Sequence, residues 1–181
     1  SCYFQDVTNP LPNDYPIPSV VYPEVLVVVD YSLYSMLGKN LDQVKRYIVA
    51  FWNGVDLRYR VMTSPKIRLN IAGIIVGMVS IRTNFSYTRC YSYVAGACNR
   101  NNETKSSEAV GVVEDNGGFS GIIPVTHELG HLLGSHHDGG SRNPGNCSSS
   151  DGYIMSGVLK LSENEFKWSN CSLNALRRFI R

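Results

Sequence analysis

Hydrophobic and polar positions along the chain change period several times, and each change marks an element. Glu24 to Asp30 (EVLVVVD) is continuously apolar between acidic ends. So short a run without alternation predicts a strand buried on both faces, as in a mainly parallel sheet. Leu41, Val44, Tyr47, Ile48, Phe51 and Val55 recur every three or four residues, with Asp42, Lys45 and Arg46 on the opposite face. That spacing predicts an amphipathic helix laid on the sheet. Lys66 to Val79 alternates and then turns continuously apolar, which predicts a second strand, bent at one of its glycines, Gly73 or Gly77. Ile81 to Asn102 is polar and loop-like apart from Tyr91 to Ala95. Ala109 to Glu114 (AVGVVE) predicts another strand, with a glycine turn at Gly117-Gly118. Ile122 to Leu133 reads as a helix that stops at Gly134, where glycine is favoured just past a helix end. Gly139 to Gly152 is irregular; Ser162 and Glu165 have capping-box spacing; Leu173, Leu176, Phe179 and Ile180 predict a final amphipathic helix.

Strands alternating with helices, then a helical, loop-rich second half, indicate an α/β domain. Five of the eight prolines lie in residues 1–23, which read as an extended surface arm ahead of a domain spanning 24–181. Composition narrows the class. At 43% hydrophobic and 18% charged, the 181-residue chain is not of a disordered type. A net charge of +2 gives no electrostatic reason to expect nucleic acid or an anionic membrane as partner. No apolar run approaches the ~20 residues of a membrane helix. The first residues lack the basic, apolar and small-residue series of a leader, so any leader is expected to have been removed.

Cys2, Cys90, Cys98, Cys147 and Cys171 form no CxxC pair, which argues against a zinc ribbon or thioredoxin-type site. Four glycosylation sequons begin at Asn84, Asn102, Asn146 and Asn170. Together with widely spaced cysteines they favour a secreted, oxidising compartment over a cytosolic protein with buried thiols. Five is odd, so at most two internal bridges form.

All four histidines fall in one string, His127-Glu128-Leu129-Gly130-His131-Leu132-Leu133-Gly134-Ser135-His136-His137-Asp138. Residues i and i+4 of a helix share a face about 6 Å apart along the axis, so His127 and His131 can converge on one ion. Gly134 lets the backbone leave the helix and return His137 to the same ion. Three neutral imidazoles with a fourth position left for water are the pattern of a catalytic zinc site. Glu128, on the adjoining edge, is placed as general base for a zinc-activated water. An HExxH pattern alone can also be a surface helix with two satisfied histidines; Gly134 and His137 at fixed offsets favour the metal. His136 is the neighbour that faces solvent or supports the ligands from outside.

The string resembles the HExxHxxGxxH signature of the metzincin metalloproteases. Asp138 directly after the third histidine is similar to the adamalysin or reprolysin branch, which includes ADAM and snake-venom metalloproteases. Within it, the apolar pattern after Pro23 and the lone Tyr153 are most similar to antarease-type scorpion-venom and tick salivary enzymes. The resemblance runs from about Glu24 to the C-terminus, with Gly96-Ala97-Cys98, Val110 to Asp115 and Trp168 to Asn174 as further landmarks. It implies a zincin with a mainly parallel twisted sheet, an active-site helix carrying two zinc ligands, and a lower half with a Met-turn and C-terminal helix. Tyr153-Ile154-Met155-Ser156 matches the turn, making Met155 its methionine, and Asp138 supports the zinc-binding loop. The resemblance implies one catalytic Zn2+, a Cys98–Cys171 bridge, and a structural Ca2+ with Glu24 and Asn174 matching two ligands. It implies a monomeric secreted endopeptidase of venom or saliva acting on an extended protein or peptide. Val158 and Leu159 would line an apolar substrate pocket; Val125 is either a wall of it or plain core.

Two departures stand beside this. Only Arg82 to Tyr93 occupy the interval where the family places a long helix and an edge strand, which puts substrate binding by strand addition in question. The cysteine expected near the Met-turn is missing, so Cys147 has no obvious mate; one pairing that fits is Cys2 with Cys90. A non-enzymatic binding protein on a metzincin scaffold is the competing reading, and a zinc hydrolase of a non-protein amide a third. Retention of Glu128 favours the enzyme.

Overall fold

The computed structural model describes residues 18–80, 90–142, 145–158 and 161–180. Most of the proline-rich arm, Cys2, Asn84, Leu159 and the greater part of the 82–93 interval lie outside the described residues. Pairing begins ahead of Glu24. Strand β1 (Val20–Val21) runs parallel to β3 (Lys66–Ile67), and β2 (Glu24–Val29) parallel to β4 (Asn70–Val76). Arg68 N–H donates to the Val21 carbonyl and Asn70 N–H to that of Pro23, both at 3.0 Å, so the two ladders continue into each other. The register shifts between Val25 and Leu26, opposite Ala72 and beside Gly73, where a bend was expected.

The face of this sheet bearing Val27 and Val29 is covered by α1 (Tyr31–Met36) and α2 (Leu41–Tyr59) through Tyr34, Val44 and Ile48. The opposite face differs from expectation: Leu26 is 58% and Val28 68% exposed, so β2 is buried on one face only. Helices pack on one side, and no described element covers the other. Helix α1 was not foreseen; its signal is Asp30, whose Oδ1 accepts from Leu33 N–H at 2.9 Å as an N-cap. Asn40 caps α2 through Asp42 and Gln43. Along α2 the buried positions 44, 48, 51, 55 and 59 hold one stripe that serves both core clusters. Buried Asp56 accepts from Leu69 N–H and from Arg60 Nε, both at 2.9 Å, locking α2 to the β3–β4 corner.

The later strands are antiparallel. Strand β5 (Cys90–Ser92) pairs with β8 (Gly111–Val113), and β6 (Arg100–Asn101) with β7 (Ser106–Ser107) as a hairpin between them. Instead of one mainly parallel sheet, the described residues form four two-stranded ladders, two of each kind. A parallel return needs a crossover, usually helical, and the chain between β5 and β8 spends its length on the hairpin. The shortened interval nonetheless delivers a strand, β5, against the helix that follows β8.

That helix, α3 (Ile122–Leu132), and α4 (Asn170–Phe179) close the main core with Phe51, Val55, Tyr59, Met155, Trp168 and Leu176. Two expectations fail here. Residues 162–167 form turns rather than a capped helix: Ser162 Oγ donates to the Gly152 carbonyl at 2.8 Å, and the N-cap of α4 is Ser169. Cys171 pairs with Cys147, across Cα atoms 6.2 Å apart, and not with Cys98, which is disulfide-bonded in its own right. Gly145 lies so close to α4 that a side chain on it would collide with Cys171 Sγ, and Ser149–Asp151 form a short 3-10 turn capped by Ser148 where no regular element was expected. Cys147 therefore has a mate, and the Cys2–Cys90 pairing does not form: among the described residues Cys90, half-buried on β5, is a free thiol. A loop of this length closed by a bridge is worth about 3 kcal/mol in the chain-entropy account.

Candidate metal centre

Helix α3 is fixed before its histidines begin. Asp115, in the loop after β8, accepts from Gly117 N–H, Gly121 N–H and Ser120 Oγ through Oδ1, and from the Tyr47 hydroxyl through Oδ2 at 2.6 Å. Tyr47 in turn accepts from Phe119 N–H, and the two rings stack 4.6 Å apart. Burial, then the bond to Asp115, pushes the Tyr47 phenol up to about 12, so it stays a donor at any physiological pH. One turn further, buried Tyr59 donates to the Thr126 carbonyl at 2.8 Å. The far end is held as well: Ala95 and Ala97 N–H groups satisfy the His131 and Leu132 carbonyls at 2.8 and 3.1 Å.

Gly130 explains how α3 sits so low. A Cβ there would stand 2.8 Å from Met155 Sδ and 3.1 Å from the Trp168 ring. Its absence lets the tight turn closed by Ser156 N–H on the Tyr153 carbonyl (2.8 Å) press against the helix. At Gly134, φ is +87°, and the chain reverses. Asp138 N–H donates to the Met155 carbonyl at 2.8 Å, and Asp138 Oδ1 accepts from Ser169 and Ser172 at 2.7 and 3.2 Å. These bonds anchor the residue after His137 to both the turn and α4.

His127, His131 and His137 meet as a result. His137 Nε2 lies 3.1 Å from His127 Nε2 and 3.0 Å from His131 Nε2. His127 Nδ1 is 2.6 Å from the Ile154 carbonyl and His131 Nδ1 2.7 Å from that of Ser135. A carbonyl only accepts, so each Nδ1 carries the proton and each Nε2 presents a lone pair. One proton on His137 could serve one neighbour but not both; a cation serves all three. The donor set fits a metal that accepts three imidazoles, with outer carbonyls fixing two of the tautomers. His131 is buried, His127 half-buried and His137 exposed, so the cluster opens to solvent on the His137 side.

A family model, the reprolysin model of metallo-peptidase family M12, matches residues 76–169, which hold the histidine cluster and Met155. The chain belongs to metallo-peptidase family M12. Its relatives include a "disintegrin and metalloproteinase with thrombospondin motifs like" protein of Bombyx mori, 35% identical over 90% of this chain and 32% of that protein. Venom metalloproteinase 3 of Eulophus pennicornis is 27% identical over 88% of this chain and 50% of its own length. The snake venom metalloproteinase fibrolase of Macrovipera lebetinus is 34% identical over 88% of this chain and 91% of its own. The M12 chain thus spans a third to a half of the first two relatives. A chain in a structure of a chaperone–substrate complex shares the fold at 15% identity, with a TM-score of 0.53 over 90% of this chain and 39% of that one.

Other residues singled out in the sequence fall variously. Val125 is half-buried and packs against the main core, and Val158 is 68% exposed. Asn174 accepts from Arg177, and Glu24 belongs to no metal-binding group among the described residues. Asn102, Asn146 and Asn170 are exposed. Sequence reasoning missed Ser92, Tyr47 and Asp115, whose partners lie 36 or 68 residues away.

The buried His131 and half-buried His127 imidazoles make the fold acid-sensitive. Burial first, then the neighbouring histidines, holds His127 below its ordinary pKa and brings His131 to about 4, against the opposing pull of their carbonyl partners. The unfolded chain takes up these protons near pH 6.5, while folded His131 resists until about 4. Stability of the chelator-treated protein is therefore full above pH 6.5 and falls as pH drops from 6.5 toward 4. For His131 alone the loss is on the order of 3 kcal/mol. Thermal melts across that range check it; a flat profile would contradict the burial of His131 and the partial burial of His127.

Proposed function

We propose that this chain is a zinc-dependent endopeptidase domain that hydrolyses peptide bonds in extended protein substrates, with Glu128 as proton carrier. The observation that carries the reading is the convergence of three Nε2 atoms beside a buried carboxylate one residue along the same helix. Zinc held by His127, His131 and His137 would polarise the scissile carbonyl and lower the pKa of the attacking water. Glu128 accepts the proton of that water as its oxygen bonds to the carbonyl carbon. It then delivers the proton to the amine nitrogen as the C–N bond breaks. Met155 and Asp138 keep the ligand loop in place from below. Strand β5 is paired on one side only among the described residues, and an extended substrate chain can add to its other edge.

The venom metalloproteinases among the relatives, the disulfides and the exposed sequons support a secreted protein with a toxin role. The test is a survey of cleavage in an undirected peptide mixture with and without a zinc chelator. Cleavage that stops on chelation and returns with zinc is the expected result. No cleavage by protein holding one zinc per chain would favour a binding protein built on this scaffold.

A further inference from the structure

Glu128 is only 7% exposed, and a carboxylate so far out of water needs a hydrogen-bond donor. Among the described residues its side chain has one: Ser92 Oγ lies 2.5 Å from Oε2. The same hydroxyl is 2.9 Å from the Glu128 carbonyl, but it has a single proton, and the shorter contact is that of a charge-assisted O–H···O⁻ bond.

The placement of Ser92 is built into the fold. Ser92 pairs with Gly111 on β8, the strand that leads into the helix bearing Glu128. Cys90 and Ser92 share the half-buried side of β5, while Tyr91 points to solvent. Ala95 and Ala97 then tie the continuing chain to the end of α3. The strand and the helix bearing Glu128 are thus held in register from both ends of the contact.

We propose that Ser92 is the positioning residue for Glu128: its hydroxyl holds Oε2 and leaves Oε1 as the oxygen that exchanges a proton with the water and the leaving amine. This rests on the reading of Glu128 as proton carrier. Without Ser92 the carboxylate can rotate about its terminal torsion, and fewer of its orientations are productive.

The test compares Ser92→Ala and Ser92→Thr, each alone, and combines Ser92→Ala with Glu128→Ala. Ser92→Ala is expected to lower kcat about tenfold with KM within twofold and one zinc per chain retained. Ser92→Thr, which keeps the hydroxyl, is expected to restore kcat. In chelator-treated protein the melting-temperature changes of Ser92→Ala and Glu128→Ala should be non-additive, because each removes the same bond. Unchanged kcat in Ser92→Ala, a loss that threonine does not rescue, or a loss of zinc would overturn the proposal. Wild-type protein that cleaves nothing would defeat the endopeptidase reading, and additive melting-temperature changes would then defeat this one separately.

Discussion

Glu128→Gln is expected to lower kcat for peptide cleavage by roughly a thousandfold, inside the range by which a positioned acid–base group contributes. Glutamine has the same shape but cannot take and return a proton at this place. The zinc-binding atoms proposed above are the three Nε2 nitrogens, so metal content should stay at one per chain. Melting temperature should hold or rise slightly, because an amide is cheaper to bury than a carboxylate that is 7% exposed. Single-turnover cleavage, bound-zinc analysis and a thermal melt on one preparation check all three. Cleavage at the wild-type rate would remove Glu128 from the reaction, and loss of zinc would make it a ligand. The variant also separates an enzyme from a binding scaffold: binding of a partner to the surface should not notice the change, whereas turnover should collapse.

Gly134→Ala is expected to damage both the fold and the metal site. The residue has φ of +87°, and a Cβ would lie 2.8 Å from Phe179 Cβ and 2.9 Å from two of its ring carbons. The left-handed backbone costs about 1–2 kcal/mol for a residue with a side chain. Overpacking against α4 adds roughly 1–3 kcal/mol. For a domain of this size the sum corresponds to a melting temperature lower by about 10 °C. Relief of the clash moves the chain just before His137, so zinc affinity should fall as well. Gly118→Ala is the control: φ there is +60°, but nothing lies within 4 Å of the added carbon. It should carry only the backbone cost and leave zinc binding unchanged. If the two variants melt alike, the contact with Phe179 does not constrain the turn.

Much of this was legible from residue order because it depends on short-range periodicity. Helices α2, α3 and α4 follow from apolar spacing, and the stop at Gly134 from the residue type that adopts its φ at least cost. The convergence of the three histidines was readable for the same reason, since i, i+4 and a glycine-mediated return are local geometry. Helix α1 escaped because six residues give too little periodicity; its one sign was the Asp30 cap. The capping-box pattern at Ser162 and Glu165 misled because the same bonds close an isolated turn: Ser162 Oγ accepts from Asn164 N–H and donates to the Gly152 carbonyl, and no helix follows.

Residue order alone pointed to the three histidines that cluster, the glutamate beside them and the helices that carry them, because each is set by neighbours within about ten positions. The tertiary structure decided which cysteine Cys171 meets, which face of β2 stays exposed, and that Ser92 reaches Glu128 from 36 positions away. Those contacts join segments whose separation is closed only when the whole chain packs. Spacing along a chain carries no information about a partner that a distant strand or loop brings into reach.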